Sequence, residues 1–126
     1  MRFAKIVFLS AGVYGLVAML PQYFLEAQVG RDSPPPITHP EFFYGFIGVT
    51  VAWQVLFLVI SRDPVRYRPT MIPAILEKAG FVIAIIVLFL QHRVAAVVLG
   101  FATIDLLLGV LFVLAFLKTR NQPLST

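Results

Sequence analysis

Cysteine is absent from this chain of 126 residues. Without it, disulfide bonds, thiolate nucleophiles and cysteine-bound zinc or iron–sulfur centres are excluded. The sequence also lacks a glycine-rich phosphate loop, a Gly-x-Ser-x-Gly nucleophile motif and a His-Glu-x-x-His zinc motif. Its two histidines, His39 and His92, lie outside the long apolar runs, so paired haem ligands inside a helical bundle are excluded too. The sequence therefore predicts no metal and no cofactor, and it leans away from an enzyme.

Charge is scarce as well. Charged residues make up 13% of the chain and hydrophobic residues 60%, whereas soluble domains are about 25% charged and about half apolar. With a mean hydropathy of +0.91, the lipid bilayer is the predicted solvent. The net charge of +4 does not indicate nucleic-acid binding, because that needs a basic face on a folded surface or a known binding motif. The basic residues here flank the apolar runs instead.

Four apolar runs are long enough to span a membrane, which takes about 20 helical residues for about 30 Å of hydrocarbon. They cover residues 3–25, 42–60, 71–90 and 94–117. They are separated by a connection at 26–41, a basic connection at 61–70 and a very short third one. This pattern predicts a single all-α integral membrane domain over residues 1–126, built as an antiparallel bundle of four transmembrane helices.

The basic residues predict the orientation of the bundle. Seven of the ten lysines and arginines lie at the amino end, in the connection 61–70 or at the carboxyl end. The positive-inside rule then predicts that both termini and this connection are cytoplasmic, and that 26–41 is the outer loop. We expect Arg62, Arg66 and Arg68 to contact lipid headgroups or an acidic partner.

Arg2 and Lys5 before an apolar run also imitate a signal peptide. Its cleavage would leave three spans. The apolar region is longer than the usual 7–15 residues and no small-x-small cleavage site follows it, so an uncleaved first helix is favoured.

Asp105 is the single charge in the fourth apolar run. A carboxylate at the bilayer centre costs roughly 2.5–3.5 kcal/mol on insertion scales, so its side chain must face protein or water. Counting about 1.5 Å of rise per residue places Tyr14, Gln54 and Asp105 at nearly one depth. Glu77 is a second acid, in the third run. The candidate ligand or proton site therefore consists of Asp105, Gln54, Tyr14, Glu77 and Thr50.

A direct ion pair between Lys78 and Asp105 is not expected. The same count puts the two residues about 8–10 Å apart in depth, and their side chains lean in opposite directions. We expect Lys78 to extend toward the headgroups. Asp105 is then expected to be often protonated and to donate to Gln54 or to a carbonyl. Two roles remain open for Asp105: it forms a hydrogen bond that holds helices together, or it belongs to a ligand site.

Small residues predict where helices pack closely. The second run carries such a stripe opposite its polar residues, so it is expected to contact protein on two sides, including another subunit or a larger membrane complex. The predicted packing residues are Gly45, Gly48, Ala52, Ala102 and Gly109. The face of the first helix expected to lie toward the bundle axis carries Ser10, Tyr14, Val17, Ala18 and Pro21.

Four segments resemble an uncharacterised family of small bacterial four-helix integral membrane proteins. They are HPEFFYGF at 39–46, AWQ at 52–54, RDPVRYR at 62–68 and LEK at 76–78. The resemblance covers nearly the whole chain and implies a bacterial inner (plasma) membrane location, but no activity. The layout of loops is similar to that of the DoxX-like proteins, without a shared motif that would transfer residue roles.

Two functions from different classes remain, and the sequence favours the first. It is a non-enzymatic accessory or scaffold subunit of a membrane assembly, which the two-sided second helix suggests. The alternative is a binding or transport protein for a small ligand, a proton or a cation, with its site around Asp105. An intramembrane isomerase, in which Glu77 or Asp105 exchanges protons with a lipid substrate, is a weaker third.

Overall fold

Four long helices dominate the computed structural model, which describes residues 1–124. The five α-helices in chain order are α1 (Arg2–Met19), the short α2 (Glu26–Asp32), α3 (Pro40–Arg62), α4 (Met71–Leu90) and α5 (Ala96–Lys118). Each of the four long helices is long enough and apolar enough to cross a membrane, and α1 and α4 are each extended by a short 3-10 turn. No strand occurs within residues 1–124. The predictions of an all-α fold and of four apolar helices are therefore confirmed.

Prolines account for two of the helix ends that differ from the predicted bounds, the end of α1 and the start of α3. The α-helical part of α1 ends at Met19, and a 3-10 turn continues it over Leu20–Phe24, because Pro21 has no N–H to donate to the preceding turn. Helix α3 begins at Pro40, two residues earlier than predicted. Pro40 occupies the first position, where its missing N–H costs nothing, and Glu41 in the first turn complements the positive end of the helix dipole. The side chain of His39 makes no capping hydrogen bond, and its Nδ1 lies 3.3 Å from Glu41 Oε1.

Helix α4 turns into α5 through a tight connection of five residues, 91–95. Arg93 N–H donates to the carbonyl of Leu88 at 2.9 Å, and His92 N–H donates to that of Phe89 at 3.0 Å. These two bonds form a Schellman motif, whose left-handed position is usually glycine. Here it is His92, with φ of 59°. This motif reverses the chain within a few residues, and the consecutive helices α4 and α5 pack against each other.

The helices pack in the spatial order α3, α1, α5, α4. Helix α1 packs against both α3 and α5, and α5 packs against α4, but α3 and α4 scarcely touch. A fully buried aromatic cluster, made of Phe8, Phe57 and Phe112, lies at one end of this arrangement. The Phe8 and Phe112 rings stack with centroids 4.3 Å apart, and the Phe57 ring meets that of Phe112 edge-on at 5.0 Å. The core is therefore dense at this end of the helices.

The predicted inner face of the first helix is wrong in part: Tyr14 and Ala18 are half-buried toward the other helices, but the rest of that face is not. Ser10 and Val17 are exposed, whereas the buried face of α1 carries Ala4, Val7, Phe8, Ala11, Gly12 and Gly15. Small residues decide this face, because α3 approaches closely: a Cβ atom at Gly12 would lie 2.6 Å from Leu58 Cδ2. The prediction weighed the polarity of the side chains and overlooked their size.

Candidate ligand-binding site

A cavity of 490 Å³ lies among the four long helices. It is lined by the second half of α1, the first halves of α3 and α5, and the middle of α4. Its aromatic lining residues are Tyr14, Phe43, Phe46, Trp53, Phe81 and Phe101. Phe46, Val49 and Phe101 line the cavity and yet remain 51%, 61% and 52% exposed. The cavity is therefore only partly enclosed, and it is open beside α3, which scarcely contacts α4.

Three charged side chains line the cavity at its deep end, next to the aromatic core. Lys78 Nζ donates to Asp105 Oδ1 at 3.1 Å and lies 3.6 Å from Glu77 Oε2. The Lys78 side chain is 5% exposed, and those of Glu77 and Asp105 are 19% and 16% exposed. Lys78 Nζ also lies 5.3 Å from the centroid of the Phe57 ring. One buried ammonium is thus shared by two carboxylates and an aromatic ring.

The Lys78–Asp105 ion pair contradicts the prediction that these residues would not meet. A Cβ atom at Gly109 would lie 3.3 Å from Lys78 Cβ, so the stem of Lys78 starts opposite Gly109. Gly109 is four residues, or about 6 Å of helix rise, from Asp105. A four-carbon stem spans that distance, which is shorter than the depth difference obtained by counting from the helix ends. Lys78 therefore turns inward to a carboxylate and does not extend to the headgroups.

Gln54 forms part of the wall between α1 and α3. It is 1% exposed, and its Nε2 donates to the carbonyl of Thr50 at 2.9 Å. Its Oε1 lies against Gly15, where a Cβ atom would overlap it, and it accepts no hydrogen bond from the described chain. The predicted hydrogen bond from Asp105 to Gln54 is not formed, because Lys78 occupies the Asp105 carboxylate.

All five residues predicted as a ligand or proton site line this one cavity: Asp105, Gln54, Tyr14, Glu77 and Thr50. Sequence analysis missed Lys78 and most of the aromatic wall. The adjacent Glu77 and Lys78, in a chain with a further acid in its last apolar run, were a usable signal for the ion pair. The aromatic residues gave no such signal, since in sequence they resemble side chains that face lipid.

The predicted packing residues fall into two groups. Ala102 is buried, and Gly109 receives the Lys78 stem. On α3, Gly48 lies near the Tyr23 hydroxyl, Ala52 is exposed, and a Cβ atom at Gly45 would meet nothing within 4 Å. The stripe on α3 is therefore left largely uncovered by residues 1–124.

The three arginines of the basic connection differ in their surroundings. Arg68 Nε donates to the Phe116 carbonyl at 3.0 Å, and its guanidinium lies 3.7 Å from the centroid of the Phe116 ring. Arg66 Nε lies 3.3 Å from Asp63 Oδ2, and Arg62 is exposed. Arg68 thus ties the start of α4 to the end of α5, and Arg62 and Arg66 remain at the surface.

Comparison of the chain with known protein families, curated proteins and solved structures finds no match. The resemblance to small bacterial four-helix membrane proteins therefore stays a prediction. In the part of the chain that the structure describes, no three or more histidine, aspartate or glutamate side chains are grouped to hold a metal ion. The functional argument depends on the cavity and its three charged side chains.

Removing the shared cation tests the ion pair. We expect Lys78→Met to lower the free energy of unfolding by about 3 kcal/mol, because it leaves buried carboxylates without a partner. The double variant Lys78→Met, Asp105→Leu should recover part of this loss, since only Glu77 then remains. Denaturant unfolding in detergent, followed by circular dichroism, measures both, and Lys5→Met on the exposed side of α1 is the control. Equal losses in the single and double variants would contradict the pairing.

Proposed function

We propose that the chain is an integral membrane protein that binds an amphipathic small molecule in the cavity among its helices. One observation carries the proposal: a cavity of ligand size has apolar walls and holds three charged side chains at its deep end. Typical small-molecule sites measure about 300–1,000 Å³ and combine apolar walls with a few polar groups. The cavity of 490 Å³ falls within that range.

The surface of the helices supports membrane insertion as an antiparallel bundle. Large apolar side chains are exposed on all four long helices, including Val17, Val49, Ile83 and Leu107. Four hydrophobic helices that exposed such side chains to water would aggregate, whereas acyl chains solvate them. In the orientation proposed from the basic residues, both termini are cytoplasmic and the protein lies in a bacterial inner membrane.

The energetic cost of the buried charges supports a binding role over simple helix packing. Replacing a buried ion pair by well-packed apolar residues is often neutral or stabilising. The Lys78–Asp105 pair with the neighbouring Glu77 is therefore a costly way to hold α4 against α5. Because the same groups line a partly open cavity, they can bind the polar head of a ligand. The opening beside α3 would admit that ligand from the bilayer.

The absence of cysteine makes the orientation simple to test. Ser33→Cys and Asn121→Cys each introduce a single thiol, the first after α2 and the second after α5. In intact bacterial cells, a membrane-impermeant maleimide should label Ser33→Cys, and it should label Asn121→Cys only after permeabilisation. Labelling of Asn121→Cys in intact cells would overturn the proposed orientation.

The single tryptophan provides a readout of the cavity. Trp53 is the only tryptophan in the chain and lines the cavity, so its emission should respond to an occupant. Extraction of the protein with its native lipid should yield a bound amphiphile, and adding that amphiphile to delipidated protein should change Trp53 emission saturably. Ala18→Phe, which places a ring in the cavity and narrows it, should weaken this response at least about tenfold, a change of about 1.4 kcal/mol.

Ala84→Phe is the matched control, because Ala84 is exposed on α4 and does not line the cavity. Circular dichroism should show equal helix content in both variants. If Ala18→Phe and Ala84→Phe respond alike, the cavity is not the binding site and the proposal is wrong.

The uncovered stripe on α3 favours a second candidate function, that of an accessory or scaffold subunit. Small residues of this kind allow close contact with another helix, from a second copy or from a larger membrane complex. Gly45→Leu should then convert an oligomer purified in native lipid into a monomer, or release a partner. Gly80→Leu on α4, where a Cβ atom also meets nothing within 4 Å, should not. A native chain that is monomeric and free of partners would eliminate this candidate.

A further inference from the structure

We infer that the ligand of this cavity is a cationic amphiphile, with N–H donors on its polar head and an apolar tail, as in a long-chain primary amine. The inference rests on the proposed function and names the ligand class of the same site. It is drawn from the charge balance of the cavity, from which of its charged groups stay accessible, and from the hydrogen bonds that its polar atoms lack.

The charges that line the cavity do not balance. Among the described lining residues, Lys78 is the only cation, and Glu77 and Asp105 are both acids. When the two acids are ionised, the site carries an excess of one negative charge. An uncompensated charge in apolar surroundings is costly, and a further positive charge in the cavity would relieve that cost. A ligand with an ammonium head supplies such a charge.

The accessible charged groups are the two acids. The Lys78 side chain is 5% exposed, and its ammonium lies within 3.1 Å of Asp105 Oδ1, 3.6 Å of Glu77 Oε2 and 5.3 Å of the Phe57 centroid. The ammonium makes one hydrogen bond, to Asp105, and Glu77 and the Phe57 ring surround it, so little of it is open to a ligand. The side chains of Glu77 and Asp105 keep 19% and 16% of their surface exposed. A head group at the deep end of the cavity thus meets the side chains of two acids, whose negative charge repels an anionic head and attracts a cationic one.

Two buried acceptor atoms of the site receive no hydrogen bond from the described residues. Gln54 Oε1 and Glu77 Oε2 are buried, and no donor within residues 1–124 bonds to either of them. Both residues line the cavity. A primary ammonium carries three N–H donors, whereas a carboxylate head carries none. The site therefore lacks donors, and the inferred head supplies them.

The walls suit an ammonium head followed by an alkyl chain. Tyr14 and Trp53 line the same cavity as the charged groups, and aromatic rings attract ammonium groups through cation–π interactions. From Asp105 to Val98 the cavity extends about 10 Å along α5, by helix rise. Over this length its further lining residues include Phe46, Phe81 and Phe101. An alkyl tail can lie along these rings and leave through the opening beside α3.

The test uses the full chain in phosphatidylcholine vesicles, with Trp53 emission as the signal. Four probes share one chain length and differ in their heads: decylamine, decyltrimethylammonium, decanol and decanoate. We expect saturable binding of decylamine, at least about tenfold tighter than that of decanol or decyltrimethylammonium, and none of decanoate. Subtracting the response of Ala18→Phe, whose cavity is narrowed, corrects for general partitioning into the bilayer.

Neutral variants of the acids test the same inference from the side of the protein. Glu77→Gln and Asp105→Asn should each weaken decylamine binding at least about tenfold, with unchanged helix content. Glu41→Gln, which removes an exposed acid outside the cavity, should leave it unchanged. Unchanged affinity in both cavity variants would overturn the inference.

The failures of the inference and of the proposed function are distinguishable. If decanol or decanoate binds most tightly and Ala18→Phe abolishes that binding, the cavity binds amphiphiles but the inferred head is wrong. If decyltrimethylammonium equals decylamine, the requirement for N–H donors is overturned. If no probe gives a saturable Trp53 response that depends on Ala18, the inference fails together with the proposed binding function.

Discussion

The buried ammonium of Lys78 is the interaction on which the site of this chain depends. Its stem lies on Gly109 and its head reaches Asp105 one turn away, so it joins α4 to α5. No comparable ion pair or side-chain hydrogen bond joins α3 to α4 within residues 1–124, and these two helices scarcely touch. The cavity lies where α4 packs against α5 and leaves α3 almost untouched, and the ion pair between α4 and α5 supplies the polar lining of the cavity.

Packing and polar chemistry occupy different parts of the helices. The stacked rings of Phe8, Phe57 and Phe112 are fully buried, and small residues such as Ala4 and Ala115 pack around them. Beyond this core, the charged residues line the cavity among the helices. An apolar core tolerates few voids, so the division lets one half of the bundle remain dense while the other half encloses space. The dense half can keep Lys78, Glu77 and Asp105 in place without a ligand.

Much of the fold could be predicted from sequence because membrane-spanning length is a strong signal. The α4 bounds agree with the apolar run, and the deviations at Pro21 and Pro40 follow from proline geometry. Counting a constant rise per residue also grouped Gln54 with Asp105, and both line the one cavity. Counting along straight helices, however, cannot reveal helix tilt or the direction of a long side chain, so the inward turn of Lys78 was missed. The cavity itself depends on a gap between helices, and no local sequence pattern predicts such a gap.

The aromatic cluster has a further consequence for any molecule that enters. Phe8, Phe57 and Phe112 come from three different helices and are fully buried, and they lie beyond the Lys78 ammonium at the deep end of the cavity. Passage along the bundle in that direction would require three packed rings to separate, together with the charged side chains beside them. In this conformation an occupant cannot continue into the dense end of the bundle.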